Sequence, residues 1–418
     1  MAQRGRDRAV AAAVADAHRR EWAFVLAATV RVTRDLDAAE ECVQDAYAQA
    51  LTRWAADGVP ARPGAWLTTV ARNRALDLLR RRATMTRALP LLVSGDRDDD
   101  IADEVVADPV IPDDRLRLIA TCCHPALAPE TQVALTLRLV CGLATAEVAR
   151  AFLVSESTMA ARITRGKKKI ATARIPYRVP GPADLPDRIQ AILAVVHLLF
   201  TSGHSAVAGP DLMRVDLADR ALDLARMLHG LLPDDPDVTG LLALILLTDA
   251  RRDARVAADG SQLRLSEQDR TRWDRARIAE GIPLVRRALR QRPNRYALQA
   301  AIAAVHAESP SFKDTDWPEI VGLYRLLGEL WPSPVVALNH AVAVGFADGP
   351  EAGLAALDPL TLEPRLAGYG YLAAARAHFL AALGRSPEAR LAYEEALHLT
   401  TNEVERAFLA ARLAELTE

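Results

Sequence analysis

The chain has 418 residues, of which 50% are hydrophobic and 5% aromatic, and its formal net charge at pH 7 is −2. This length and hydrophobic content predict a globular protein with two or three domains. Because the net charge is close to zero, binding of polyanions over the whole surface is disfavoured, and any contact with nucleic acid requires local segregation of charge.

Cysteines and apolar runs predict the cellular setting. The four cysteines include no CxxC pair, so they fit neither a disulfide framework nor a zinc site and favour a reduced, cytoplasmic protein. The alanine-rich stretch 10–17 is interrupted by Asp16 and lacks the pattern of a secretory signal. The apolar runs 191–200 and 241–247 are too short to span a bilayer, so we expect no contact with a membrane.

The first helices are predicted between residues 18 and 82. Apolar spacing indicates one helix around Glu21–Arg34 and a second over Asp37–Trp54, and the stretch 57–64, which is rich in Pro and Gly, indicates a loop. Several acids lie in the first turns of the second helix. They either bind a basic partner or only favour the helix dipole.

The helix after this loop is the most informative segment of the chain. Residues 63–82, PGAWLTTVARNRALDLLRRR, hold five arginines against one acid, Asp77, while the apolar residues keep a helical spacing. One face of this helix is therefore predicted to pack in a core and another to contact phosphates. Trp66 lies on the apolar face, where we expect packing, with base stacking as the alternative.

An acidic stretch follows the basic helix. Nine acids face one arginine between Asp96 and Asp114, and residues 89–112 carry too little apolar surface to fold alone. We expect a flexible tether here. Helices resume beyond it, one from Asp113 or Asp114 to Cys123 and another from Pro129 to Val140.

Residues 143–173, LATAEVARAFLVSESTMAARITRGKKKIATA, have the pattern of a helix-turn-helix. A short helix is predicted over Thr145–Phe152 and a longer one over Ser155–Ala171. Small and polar side chains at the start of the second helix can reach base edges, and the basic side chains further along can hold phosphates. The alternative is an ordinary amphipathic helix with a solvated basic end.

After a proline-rich joint at 176–186, alanine- and leucine-rich helices are predicted to the end of the chain. The similar sequences GPEAGL and SPEARL begin at residues 349 and 386, each after an apolar helix, a spacing close to the roughly 34-residue period of tetratricopeptide repeats. Such helix pairs stack into a solenoid with a concave binding surface. The alternative is a rigid module that only stabilises the rest of the chain. Residues 256–265 are predicted to form a loop or a small hairpin within this array.

No cluster in the sequence predicts an enzyme. Cys122-Cys123-His124 lacks a base with an orienting partner, and His197 and His204 lie beside an apolar run. For all of them packing is favoured over nucleophilic chemistry or metal binding. We therefore expect no catalytic residues, no metal and no cofactor.

Taken in order, these segments resemble the extracytoplasmic-function group of bacterial RNA polymerase sigma factors. The resemblance covers residues 18–174 and rests on DLDAAEECVQDAYAQALTRW (35–54), the basic helix, the acidic tether and the helix-turn-helix. It looks most like the subgroup with a long C-terminal helical-repeat extension. It implies an all-α protein with sigma region 2 at 1–88, a linker at 89–112, sigma region 4 at 113–175 and a tetratricopeptide-like extension at 176–418.

The resemblance also implies partners and residue roles, carried over position by position. The core RNA polymerase would be bound by Asp37, Glu40, Glu41, Gln44 and Asp45. The −10 element of promoter DNA would be bound by Arg72, Asn73, Arg74, Asp77, Arg80 and Arg81, and the −35 element by Ser157, Thr158, Arg162, Arg165, Lys167 and Lys168. The acids of the linker would either mimic a nucleic-acid backbone in the polymerase channel or serve as a solvated spacer.

The sequence thus predicts a cytoplasmic sigma factor that directs core polymerase to promoters, with a regulatory C-terminal extension that has a protein or peptide ligand. Two other classes of function remain open. One is a stand-alone helix-turn-helix regulator with a repeat sensor, which does not explain the loop and basic helix of 55–82. The other is an enzyme that uses the extension, for which no clustered site is found.

Overall fold

The computed structural model describes residues 2–88, 114–152, 154–178, 185–206 and 208–416. These residues form eighteen α-helices and two strands of two residues each, which confirms the predicted all-α fold. The predicted linker 89–112 lies outside the described residues. The chain divides into two compact units, Met1–Val195 and Val196–Glu418.

The first unit contains seven helices and the beginning of an eighth. They are α1 (Ala2–Thr33), α2 (Leu36–Asp57), α3 (Pro63–Ala88), α4 (Asp114–Cys122), α5 (Pro129–Leu135), α6 (Thr145–Ala151), α7 (Glu156–Thr172) and α8 (Leu185–His204), with a π-helical turn at Thr136–Val140 after α5. The helix predicted around Glu21–Arg34 begins much earlier because the alanine-rich stretch before it continues the same helix.

Helix α1 is the centre of the first unit. It packs against α2 and α3 on one side and against α4 and the π-helical turn on another. Its core residues Trp22, Leu26 and Val30 are almost completely buried. Trp22 joins the two sides, because its indole Nε1 donates a hydrogen bond to the backbone oxygen of Leu139 at 3.0 Å.

One glycine permits this close packing. Gly142, which ends the π-helical turn, has a φ of +70°, and a Cβ at this position would lie 2.9 Å from the side chains of His18 and Trp22. A larger residue would therefore be strained in its backbone and would also push α1 away.

The second unit contains the end of α8 and ten further helices. They are α9 (Val215–Leu231), α10 (Pro236–Asp249), α11 (Arg275–Gln291), α12 (Arg295–Glu308), α13 (Trp317–Leu330), α14 (Pro334–Asp348), α15 (Pro350–Leu357), α16 (Gly370–Ala382), α17 (Ser386–Leu399) and α18 (Glu403–Glu415), with strands β1 (Ala208–Gly209) and β2 (Thr401–Asn402). Residues 256–262 form the small hairpin that the sequence predicted, closed by a bridge between Val256 and Gln262.

The helices of the second unit pack mostly against their neighbours in sequence, from α9 on α10 to α17 on α18. The two ends of the unit also meet. Strands β1 and β2 pair in parallel, and the buried Asn402 donates from Nδ2 to the backbone oxygens of Ala206 and Asp211 at 3.1 and 2.8 Å. The array is thus closed by a contact between its first and last segments, which nothing in the sequence pattern indicates.

No helix within the described ranges is both long enough and apolar enough to cross a membrane. No group of His, Cys, Asp and Glu side chains in these ranges could hold a metal ion.

Two histidines of the second unit are held in their neutral form. Desolvation lowers the pKa of His197 to about 4, and the nearby Arg295 acts in the same direction. Desolvation, Arg251 and Arg270 likewise lower the pKa of His306 to about 4. In the unfolded chain both groups would titrate near 6.5, so protons bind more tightly to the unfolded state.

We expect the second unit to lose stability as the pH falls from 6.5 towards 4, by up to about 3 kcal/mol for each histidine, and to be insensitive to these groups above pH 6.5. Thermal unfolding of the wild type and of a His197→Gln/His306→Gln variant across this range measures the effect. The carboxylates titrate in both proteins. The contribution of the two histidines is therefore the difference between the stability-versus-pH profiles of the wild type and the variant. Parallel profiles would contradict the expectation.

Candidate nucleic-acid interface

The basic helix α3 presents an exposed polar stripe. Arg72, Leu76 and Arg80 are spaced four residues apart along it, and Asn73, Asp77 and Arg81 form the adjacent row. All six side chains are exposed, whereas Leu67, Ala71 and Ala75 on the opposite face are buried completely. The helix thus has the two faces that the sequence predicted. Leu76, one of the apolar residues whose helical spacing predicts a packed face, is instead 36% exposed within the stripe.

Two members of the basic segment are held by acids of the first unit. The Nε of Arg74 lies 2.8 Å from Oδ2 of Asp45 on α2, and Arg82 lies 3.5 Å from Asp35. Within the stripe, Asp77 pairs with Arg80 at 3.2 Å. Arg74 and Asp45, which the sequence assigned to two different partners, therefore bind each other here.

Trp66 is half-buried at the start of α3. Its ring meets that of the buried Trp54 edge to face, with 5.7 Å between the ring centroids. The predicted packing role is confirmed, and this pair fixes the loop between α2 and α3 against the end of α2.

Helices α6 and α7 form the predicted helix-turn-helix. Ser155 is the N-cap of α7 and accepts a hydrogen bond from the backbone nitrogen of Thr158 at 3.2 Å. The hydroxyls of Ser157 and Thr158 are exposed and lie 3.0 and 2.8 Å from that of Ser155. The guanidinium of Arg162 lies 5.3 Å from the ring centroid of Phe152.

Small residues bring α7 close to α5. A Cβ on Gly166 would lie 2.7 Å from the side chain of Thr131, so this glycine allows the two helices to touch. Along the rest of α7, Arg165, Lys168 and Lys169 are exposed. Of the sequence-predicted residues of this helix, Ser157, Thr158, Arg165 and Lys168 are exposed, whereas Arg162 and Lys167 are partly buried.

Lys167 belongs to a cluster of charged side chains through which α7 contacts α2. Its Nζ lies 2.7 Å from Oε2 of Glu40 and 2.7 Å from Oδ1 of Asp37. Glu40 also pairs with Arg138. The side chains of Lys167 and Glu40 are only 11% and 7% exposed, whereas that of Asp37 is 73% exposed.

The charges in this cluster favour each other. Burial alone would lower the pKa of Lys167, but Glu40 and Asp37 outweigh it and raise the pKa. Two cations against two carboxylates leave the cluster neutral, which compensates the loss of hydration. Of the five residues predicted to bind polymerase, Glu40 and Asp45 are paired, Asp37 is exposed but also pairs with Lys167, and Glu41 and Gln44 are exposed.

The cysteines are all free and buried. Burial raises the pKa of Cys123 to about 12, against a weaker opposing effect of its hydrogen bond with Thr136, so this thiol is protonated at neutral pH and a poor nucleophile. The predicted packing role of Cys122 and Cys123 fits these surroundings.

Comparison with known proteins gives the context of this geometry. The sequence profile of sigma-70 region 2 matches residues 18–84, and that of sigma-70 region 4 matches residues 117–170. An uncharacterized protein of Rhizobium meliloti (strain 1021) is 43% identical over 395 residues, which cover 94% of this chain and 93% of that protein. The chain belongs to the sigma-70 family. Residues 188–289 match a family of unknown function, DUF6596.

Family membership assigns the general role of this sigma-70 protein. Its two sigma regions indicate a transcription initiation factor that takes part in promoter recognition, with RNA polymerase core and promoter DNA as partners. It is therefore not expected to act as a catalytic enzyme. Region 2 corresponds to α1–α3 and region 4 to α4–α7, so the cluster around Glu40 joins the two regions.

We expect the variant Lys167→Gln to lower the free energy of opening of α2 and α7 by about 1–3 kcal/mol, because it removes one cation from the buried Glu40. Arg138 still pairs with Glu40, which limits the loss. The matched control, Lys168→Gln, changes an exposed neighbour and should stay within about 0.5 kcal/mol. Hydrogen exchange of peptides from the two helices measures both. Equal protection in the two variants would show that the cluster does not hold the regions together.

Proposed function

We propose that this protein is a sigma factor of the extracytoplasmic-function group. It brings core polymerase to specific promoters and helps to open them. The observation that carries this proposal is the exposed stripe of α3, where Arg72, Asn73, Arg80 and Arg81 face solvent on a helix whose other face is a packed core. A positive surface on a rigid helix suits the capture of an unstacked single strand.

The second DNA contact would come from α7. Ser157, Thr158 and Arg162 at its start would read the −35 element, while Arg165 and Lys168 would hold phosphates. Lys167 cannot bind a phosphate and Glu40 at the same time. Its use on DNA, and the use of Glu40 on polymerase, therefore requires the contact between regions 2 and 4 to open.

A stand-alone helix-turn-helix regulator is the rival function. It would need only α6 and α7, and it offers no role for the stripe on α3. Run-off transcription with purified core polymerase and promoter templates from the host genome separates the two. The full-length protein and a protein truncated after Arg178 are both tested. If neither gives a promoter-dependent transcript, the sigma proposal is contradicted.

We expect the variant Arg72→Gln/Asn73→Ala to destabilise the open promoter complex by about 1–3 kcal/mol, because the displaced strand loses its contacts with α3. The amount of open complex should then fall on the order of ten-fold or more. Permanganate footprinting of the melted region measures the loss. The control is Arg20→Gln, an exposed arginine on α1, which should melt the promoter as the wild type does. If the two variants behave alike, the stripe does not bind the strand.

We further propose that the extension is a tetratricopeptide-like regulatory domain with a peptide or protein ligand. Two features support this. The pairs α14/α15 and α16/α17 are helix hairpins whose second helices begin with the similar sequences at 350 and 386. A cavity of about 510 Å³ in the same unit is lined by aromatic residues, among them Phe312, Trp317, Phe346 and Phe408, which suit apolar side chains of a partner.

The cavity lined by these aromatic residues is called the peptide groove. If it regulates the sigma regions, Phe408→Ala should shift reporter transcription in the host in the same direction as removal of the extension, because the substitution weakens contact with the ligand. Gain of transcription implies inhibition by the extension, and loss implies assistance. Leu391→Ala is the control, since Leu391 is 67% exposed and outside the groove. A Phe408→Ala protein that folds and transcribes as the wild type would remove this groove from the mechanism.

A further inference from the structure

A second cavity in the extension has an unusual electrostatic character. Its volume is about 390 Å³, within the range of about 300–1,000 Å³ that is common for small-molecule sites. Walls come from α8, α10, α12, α13 and α14. The apolar part of the lining includes Leu244, Leu247, Ile302, Leu327 and Trp331.

Arg251 brings a positive charge to this cavity. Among the residues that the structure describes, its guanidinium makes no hydrogen bond and no ion pair. Burial lowers its pKa, and its one favourable electrostatic neighbour is the Tyr324 hydroxyl. The side chain nevertheless keeps some accessible surface, as expected of a guanidinium that faces a cavity rather than packed protein.

The neighbouring arginines show that this situation is particular to Arg251. Arg252 lies 2.7 Å from both Asp249 and Asp219. Arg277 also pairs with Asp249, and Arg255 donates to the backbone oxygen of His204. The buried carboxylate of Asp249 is thus held by two other cations, and no ion pair of Arg251 is found among the described residues.

The other polar groups of the lining are uncharged. They are the hydroxyls of Thr201, Thr248 and Tyr324, the amides of Gln299 and Asn339, and the rings of His197, His306 and the tryptophans. Tyr324 keeps its proton, because burial raises its pKa to about 12 against the opposing effect of Arg251. Trp273 is 3% exposed, and its Nε1 is buried without a hydrogen-bond partner among the described residues, as is Nδ1 of His306. The cavity therefore offers one cation, uncharged polar groups and apolar walls, and its lining includes no carboxylate.

We propose that this cavity binds a small organic anion, a carboxylate with an apolar or aromatic body, whose carboxylate pairs with Arg251. An unpaired buried charge is costly, and a bound carboxylate would supply the missing partner through two parallel hydrogen bonds. One guanidinium matches one negative charge, while Leu247, Ile302 and Trp331 would cover the apolar body. A phosphate dianion, by contrast, would leave this apolar surface unused and one charge uncompensated.

This site adjoins the peptide groove, with which it shares Leu265 and Asn339, and the proposed binding does not depend on the sigma activity. Binding is therefore measured on the full-length protein alone, without DNA or polymerase. The probes are benzoate, phenylbutyrate, indoleacetate and decanoate at millimolar concentration, each paired with its neutral amide, and inorganic phosphate. Isothermal titration calorimetry and the thermal unfolding midpoint are the readouts.

We expect at least one carboxylate to bind and to raise the unfolding midpoint. Its amide should bind about ten-fold more weakly or worse, since it cannot form the charged pair. Arg251→Gln should abolish this preference for the carboxylate and should not lower the midpoint of the unliganded protein, because it removes an uncompensated charge. Arg272→Gln, an exposed arginine outside the lining, should bind as the wild type.

Four outcomes would overturn the proposal. They are no binding by any of the four carboxylates, equal binding of acid and amide by the wild type, unchanged binding by Arg251→Gln, and saturation by phosphate with no response to the carboxylates. The comparison of acid with amide uses only the wild-type protein, so it decides the matter even if Arg251→Gln fails to fold.

Discussion

The first unit depends on one helix that is buried from several sides. Helix α1 supplies core residues to α2 and α3 and, through Trp22, to α4 and the π-helical turn. Alanine and valine dominate its buried positions, and small side chains let other helices approach closely. Since both sigma regions use the same helix as part of their core, they form a single compact unit in this conformation.

Acidic and basic side chains around this shared core pair with each other. Two acids of α2 hold the helices α3 and α7, Asp45 through Arg74 and Glu40 through Lys167. Lys167 binds Glu40 and Asp37 together, and Glu40 also binds Arg138. In the proposed function, binding of these groups to DNA or polymerase would replace these contacts, so a ligand that favours the open state would disfavour the closed one.

The buried charged groups of the extension are arranged differently. Its buried carboxylates Asp237 and Asp249 pair with arginines, and the buried Arg255 and Arg270 donate to backbone oxygens. The contact of Asn402 with the first segment closes the helical array. Because the array is closed, its cavities keep a fixed shape before a ligand binds. Such a preorganised site lowers the entropic cost of binding. Within this compensated framework Arg251 stands out, because its charge is exposed to a cavity rather than balanced by protein.

What the sequence determined by itself is local. Helical spacing and the glycine and proline breaks predicted helices α2, α3 and α7 and the exposed basic stripe, because these depend on residues within a few positions of each other. The tertiary structure alone decided which charges meet. Lys167 and Glu40 lie 127 residues apart and Asn402 and Ala206 lie 196 apart, and no local pattern specifies such pairs. For the same reason the sequence showed Arg251 as one arginine among many, and only the fold left it without an acid.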